Sequence, residues 1–373
     1  MDECFAYEDT VKPYAESMCL SLQDKIKKYH DFWFGAKVER PLIGFSLGGW
    51  FPLQSYTAIH KFRGKGRLTP DQVQPEEFLP DYDRIVAQWN SVEDDVLRGV
   101  APIPPFPWLE AMLGSPVQVG EESIWAEEGG FDFANTSKLD FSPANPWRRK
   151  YLEFVAVLKD HFGSRVPVGQ PILRGVSDMI AALRKTSQMI FDLYDFPEEY
   201  KKLGKSCTDL IIGLVREQQR LTGPFAGGYF VEQFSLWAPD RIIRMQEDAS
   251  ALFSPALYDK LLQEEDRRQA DAFAYSLIHL HSSSLFLLDR ILNVEPILCF
   301  QINKDAAASI PEEIPYFQMV QKKGKKLLIR GKLDLEDLSL LRKNLSPRGL
   351  YLQIVVESPA EIAKMLDFFK PWG

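Results

Sequence analysis

"AYSLIHLHSSSLFLLDRILNVEPILCFQIN", residues 274–303, reads as strand, helix and strand in direct succession. Residues 273–281 alternate: Phe273, Tyr275, Leu277, His279 and His281 share one face, and Ala274, Ser276, Ile278 and Leu280 the other. Ser282, Ser283 and Ser284 then suit the N-cap of a helix over 284–292. In "PILCFQIN" (296–303), Cys299, Gln301 and Asn303 oppose the apolar Leu298, Phe300 and Ile302. A strand, a helical crossover and a second strand imply a right-handed βαβ unit with parallel pairing.

The same alternation spreads in both directions. Upstream lie a strand-like "VPVGQPIL" (166–173), a helix in "RGVSDMIAALRKTSQMIFDLY", and a long amphipathic helix over 197–221 with Pro197 in its first turn. A strand over 240–248 follows, then a helix with Ser254 as N-cap and Pro255 at its first position. Downstream, strands over 325–331 and 350–357 alternate with helices over 311–322, 335–344 and 358–368. Adding "PLIGFSL" (41–47) and a strand near 117–125 brings the count to eight. Eight such units predict an α/β fold of the (β/α)8 TIM-barrel kind, with a doubly wound open sheet as the alternative. The regular units occupy 166–373, and residues 1–165 form an irregular N-terminal elaboration of the same domain, 1–373. Pro and Gly clusters at 63–80 and 99–108 punctuate that part, and "WLEAMLG" makes a short helical turn closed by Gly114.

Composition narrows the class. A chain of 373 residues, 45% hydrophobic and 12% aromatic, supplies a substantial core. A formal charge of −8 argues against broad attraction to nucleic acid or anionic membranes. No run of about 18 apolar residues offers a membrane span. The acidic start "MDECFAYEDT" lacks the pattern of a secretory signal. Cys4, Cys19, Cys207 and Cys299 are scattered, as free thiols of a reducing cytoplasm would be.

In a TIM barrel the active site lies at the C-terminal ends of the strands. There the sequence places Gln246 and Asp248, His279 and His281, Gln301 and Asn303, Arg330, and Gln353 and Glu357. Polar residues on a lumen face fit a wet, ligand-bearing mouth better than a dry core. His279 and His281 project together and can converge on one ion, because neutral imidazole is a common zinc ligand. Glu357 and Asp248 are the oxygen candidates for a third ligand, and Cys299 is the thiol candidate. The competing reading is that both rings hydrogen-bond neighbouring carbonyls. Elsewhere "RGKGR" (63–67) and "KKGKK" (322–326) read as solvated loops, and neither "GGY" (227–229) nor "GGW" (48–50) has the context of a nucleotide fingerprint. The serines after the histidines lack a GxSxG elbow. Trp33, Trp50, Trp108 and Trp125 give the first half an aromatic surplus, read as core or as the lining of an apolar pocket.

Taken in order, "ERPLIGFSLGGWFP" (39–52), "PWLEAMLGSPV" (107–117), "PILRGVSDMI…MIFDLYDFPEEYKKL" (171–203), "MQEDASALFSPALYDKLL" (245–262), "IHLHSSS" (278–284) and "LLIRGKLD" (327–334) resemble the uroporphyrinogen decarboxylase superfamily. That group joins porphyrinogen decarboxylases to corrinoid-dependent methyltransferases on a (β/α)8 barrel. The decarboxylase branch carries an RQAGRYLP-like segment whose arginines hold substrate carboxylates. Here "FSLGGWFP" (45–52) has Phe45 and Gly49 at those places, and "APIPPFPW" offers no acid for pyrrole nitrogens. The zinc methyltransferase branch has His-x-Cys after its fifth strand and a later Cys. Here His279-x-His281 takes the first place, and Glu357 is the nearest residue able to bind metal in the second.

The resemblance therefore implies a cytoplasmic methyltransferase moving a methyl group between a small methylated substrate, an ether or amine, and a corrinoid held by a separate carrier protein. Zinc would sit on His279, His281 and Glu357. Asp248 and Arg330 would orient the substrate, and Gln246, Gln301, Asn303, Gln353 and Trp50 would line its pocket. A porphyrinogen carboxy-lyase and a non-catalytic tetrapyrrole-binding barrel are the alternatives.

Overall fold

The structure is a computed structural model that describes residues 20–48, 55–89, 92–121, 123–134 and 139–369. In chain order its strands are β1 (Leu42–Leu47), β2 (Val117–Val119), β3 (Ile124–Ala126), β4 (Tyr229–Val231), β5 (Leu236–Ala238), β6 (Ile242–Gln246), β7 (Tyr275–Leu280), β8 (Cys299–Asn303), β9 (Lys326–Gly331) and β10 (Leu350–Val356). Six of them form one sheet in the order β1-β10-β9-β8-β7-β6, parallel throughout. Helices return the chain between successive strands, among them Ile310–Lys322 and Leu335–Asn344. The central parallel sheet with its surrounding helices fits a TIM-barrel-like fold.

Six ladder strands stand where the sequence suggested eight, and no closed ring of ladders forms among the described residues. The segment expected near 117–125 is instead the antiparallel hairpin β2-β3, outside the sheet. The segment expected over 166–173 makes only single bridges, Val100 to Val168 and Gln170 to Val231. Pro167 and Pro171 lack the N–H groups that a ladder strand needs, and the partner stretch 99–108 is itself proline-rich. These segments still run between the sheet edges. The Asp95 N–H donates to Ile43 O on β1 at 3.0 Å, and the Val100 N–H donates to Pro167 O at 2.9 Å. At the other edge Gln170 uses its side-chain amide, donating to Arg244 O on β6 and accepting from the Arg244 N–H, both at 2.8 Å.

Side-chain alternation sorts the strands into two faces. Ile278, Leu280, Phe300, Ile302, Ile329, Leu352 and Ile354 belong to the large core against the helices. Leu42, Leu277, Cys299, Leu328 and Tyr351 form a second apolar cluster inside, at the N-terminal ends of the strands. The helix Leu22–Phe34 closes that end with Tyr29, Phe32 and Trp33; its start is fixed by a capping box of Ser21 and Asp24. Trp33 Nε1 donates to Trp237 O at 2.8 Å. One register step toward the strands' C-terminal ends, the inward residues become polar: Gln246, His279, Gln301, Arg330 and Gln353 are all buried.

Two expected helices are broken. "RGVSDMIAALRKTSQMIFDLY" forms Val176–Arg184 and Thr186–Asp195, parted at Lys185, whose φ is 69°. The stretch after Ser254 forms Pro255–Leu261 and Gln263–Asp271, and Ser254 Oγ caps the first of these by accepting from Leu257 N. Before the first break, Gly175 lies so close to β6 that an added Cβ would fall 1.7 Å from Gln246 O. Only glycine lets this loop approach the end of that strand. No helix among the described residues is long and apolar enough to cross a membrane.

Candidate metal centre

His279 is the last inward residue of β7, one before its end at Leu280, and His281 follows two residues later, at the N-cap of the 3-10 turn Ser282–Leu287. The period of two aims both rings the same way, and their Nε2 atoms stand 3.2 Å apart. Asp248, just past β6, joins them: one ligand atom from each of Asp248, His279 and His281 lies within 4.8 Å of the others.

The outer nitrogens fix the tautomers. His279 Nδ1 meets Gln301 Oε1, whose amide nitrogen in turn donates to Asn303 Oδ1 at 3.0 Å. His281 Nδ1 meets the Asp305 carboxylate at 2.9 and 3.1 Å. Both acceptors are oxygens, so each neutral ring carries its hydrogen on Nδ1 and turns the Nε2 lone pair inward. Two facing lone pairs at this distance repel unless a proton or a cation lies between them. The orientation of imidazole by an outer carboxylate or amide is the usual support of a ligating histidine.

The electrostatics divide the two rings. Burial and the nearby Arg244 hold the His279 imidazole well below the ordinary histidine range. The hydrogen bond to Asp305 raises His281 above it, against the effect of burial. Burial raises Asp305 too, yet the bonds from His281 and from the Ser282 N–H prevail and bring it to about 2. Of the two rings, His281 is therefore the one that takes up a proton more readily. Burial, together with the adjacent Asp178, pushes Asp248 up to about 6.

Asp248 is held as firmly as the rings. Gln246 Nε2 donates to Asp248 Oδ2 at 2.8 Å and to Asp178 Oδ2 at 3.1 Å, while its Oε1 accepts from Arg244 Nη1. Asp178 also accepts from the Ala249 N–H at 2.8 Å, which fixes the turn that carries Asp248.

Of the other residues expected at the site, Glu357 is not brought to the histidines. The β10 ladder ends at Val356, and the Glu357 side chain is 59% exposed and ion-paired with Lys332. Gln246, Gln301 and Asn303 face inward, but their amides are engaged in holding the cluster. Cys299 lies in the apolar inner layer, where burial pushes its thiol up and away from the thiolate that a metal needs. Arg330 and Gln353 line a separate cavity at the same end of the sheet. Trp50, Cys4 and Cys19 lie outside the described residues.

Two residues of this cluster were not anticipated. Asp305 extends the inward column Cys299, Gln301, Asn303 by one more step of two, a signal present in the sequence. Asp178 comes from a segment with no such periodicity.

No protein-family model matches the chain, and no characterised protein matches it by sequence. Among solved structures, it is similar to a methyltransferase from Methanosarcina mazei, with a TM-score of 0.61 at 11% identity over 93% of this chain and 99% of that one. A putative dehydratase from Mesorhizobium loti superposes with a TM-score of 0.42 at 12% identity, over 90% of this chain and 59% of that one. The first likeness places the chain on that methyltransferase's fold.

Proposed function

We propose that the protein is a methyltransferase that binds zinc through His279, His281 and Asp248 and moves a methyl group from a small methylated donor to a corrinoid carried by a partner protein. The observation that carries this reading is the convergence of two imidazole lone pairs and a carboxylate at the C-terminal end of the sheet, each held from behind by Gln301, Asp305 or Gln246. The shared fold with a methyltransferase supports it, as does the resemblance of the sequence to the uroporphyrinogen decarboxylase superfamily. In that superfamily the complete architecture is an eight-stranded closed barrel, and the segments 95–100 and 167–170 stand in the places of the two missing staves.

The donor set fits a divalent ion. Three protein ligands with positions left over are the pattern of a catalytic zinc site, and two neutral imidazoles with one carboxylate neutralise only one of its charges. Zinc bound there would act as a Lewis acid toward the oxygen or nitrogen of the methyl donor, making it a better leaving group. The protein's own residues do the rest. Asp305 and Gln301 keep both rings in the ligating tautomer, and Gln246 keeps Asp248 turned toward them. Arg330 and Gln353 line the separate cavity at the same end of the sheet. The bond from the methyl carbon to the heteroatom breaks with its electron pair left on the heteroatom, which leaves carrying that pair and takes up a proton.

The test has two parts. Protein purified without a histidine tag should hold about one zinc per chain by elemental analysis, and His281→Ala should hold none. Mixed with a Co(I) corrinoid protein and methylated ethers or amines, the wild type should yield methylated corrinoid by absorption spectroscopy. Metal-free wild-type protein, or no methylated corrinoid with any donor class, rejects the reading.

A further inference from the structure

The cavity of about 260 Å³ between the sheet's C-terminal end and the irregular N-terminal half presents hydrogen-bonding groups that the protein leaves unanswered. Phe45, Tyr56 and Trp89 supply apolar wall, and Glu232 and Gln353 are two of its polar points. Gln353 is 3% exposed, and its Nε2 donates to Gln233 O at 3.4 Å. A carbonyl can only accept, so this contact fixes which end of the amide is the nitrogen. The Oε1 end has no partner among the described residues. A buried acceptor without a donor is costly, so this oxygen calls for an N–H or O–H from a ligand.

The second group stands beside the first. Glu232, in the loop joining β4 to β5, is the chain neighbour of the residue that Gln353 touches. No described residue hydrogen-bonds its carboxyl group, and burial pushes it up to about 7 against the pull of Arg330. The neutral acid is therefore the form held below that pH. It offers an O–H donor and a carbonyl acceptor side by side.

Counting hydrogens then selects the ligand. Gln353 Oε1 needs one donor, and the Glu232 acid needs one donor and one acceptor. A primary carboxamide carries that set in one plane, as two N–H groups and a carbonyl. An ammonium has no acceptor, and a hydroxyl or carboxyl group has a single hydrogen to give. A neutral ligand also leaves the charges of the wall as they are: Arg98 keeps Asp94 and Phe45 O, and nothing is asked of Arg330. The aromatic wall suits a ring attached to the amide.

We infer that this cavity binds a small aromatic carboxamide, with its carbonyl and one N–H paired to the Glu232 carboxylic acid and its other N–H on Gln353 Oε1. The cavity is separate from the metal cluster, so this binding needs no zinc and stands apart from the methyl-transfer reading.

Ligand-observed NMR titration of the full, metal-free chain at pH 6 tests it with four probes built on one ring: benzamide, N,N-dimethylbenzamide, benzylammonium and benzoate. Benzamide should bind at least roughly tenfold more tightly than the other three. Gln353→Leu should weaken benzamide several-fold and leave N,N-dimethylbenzamide unchanged, a split that general damage to the cavity would not give. A pH series adds a second, independent check. The groups acting on or facing Glu232 are Arg330 on β9, the Tyr56 and Tyr82 hydroxyls, and Arg98 with its partner Asp94. Burial raises both tyrosines well above their ordinary range, and Arg330 stays charged below about 10. Because the acid form binds, benzamide affinity should be level below pH 7 and at least about tenfold weaker at pH 9 than at pH 6. Glu232→Gln offers the same paired donor and acceptor with no proton to lose, so it should keep the pH 6 affinity and abolish the fall. Equal binding of N,N-dimethylbenzamide or benzylammonium, an affinity that rises toward pH 9, or wild-type benzamide binding by a Gln353→Leu variant with a native circular dichroism spectrum overturns the inference.

Discussion

The same four strands, β7 to β10, behave differently at their two ends. At the N-terminal end the inward residues Leu277, Cys299, Leu328 and Tyr351 are apolar and sealed by the helix Leu22–Phe34. One register step on, His279, Gln301, Arg330 and Gln353 face the same side, where His279 meets Gln301 and Gln353 donates to Gln233 O in the loop that faces it. Each strand is thus anchored at one end and chemically equipped at the other. Stability and function should therefore respond to different substitutions only a few ångströms apart along one strand.

The largest expected effect is at the sealed end. Leu328→Ala, which hollows the inner apolar layer, should cost about 2–5 kcal/mol of unfolding free energy by urea titration. It should leave the zinc content per folded chain unchanged, and a loss of both together would erase the distinction between the ends. Next comes the equipped end: Asp305→Asn should weaken zinc binding by about 10–100-fold in competition with a chelator dye, with little change in unfolding midpoint.

The pH dependence of zinc binding sharpens the same contrast. His281 is raised by Asp305, so below its folded pKa the ion must displace a proton. Affinity should then climb by about tenfold per pH unit as pH rises toward that pKa, and level off above it. Asp248, at about 6, adds a second proton to displace below that pH and steepens the acidic limb. In Asp305→Asn the His281 pKa falls, so its contribution should level off at a lower pH. The smallest effect belongs to Cys299→Ala, expected to cost about 1 kcal/mol of stability and no zinc at all. Zinc loss in that variant would bring the thiol back as a ligand.

Much of this was legible in the chain. The strict alternation in 274–281 and 296–303 gives both the strands and their inward faces, because a half-polar strand has only one arrangement that keeps its helix-facing side apolar. The paired histidines follow from the same period. Glu357 misled because it continues the column Gln353, Val355 in sequence, while the ladder ends one residue earlier and the side chain turns to Lys332. Asp305 was readable by extending the neighbouring column past the strand end. Asp178 was not, since its position depends on how a helix start docks on the end of β6. That docking is fixed by close approaches such as Gly175 against Gln246 O, which local pattern does not encode.

The Gln170 amide deserves a last consequence. Between the irregular arc and β6 it replaces a pair of main-chain bonds with one removable side chain. This join is therefore genetically addressable in a way that no true ladder is. Glutamate there would lose the N–H that meets Arg244 O, and the irregular arc would part from the sheet at that join, beside the strand that leads to Asp248, before any of the five ladders gave way.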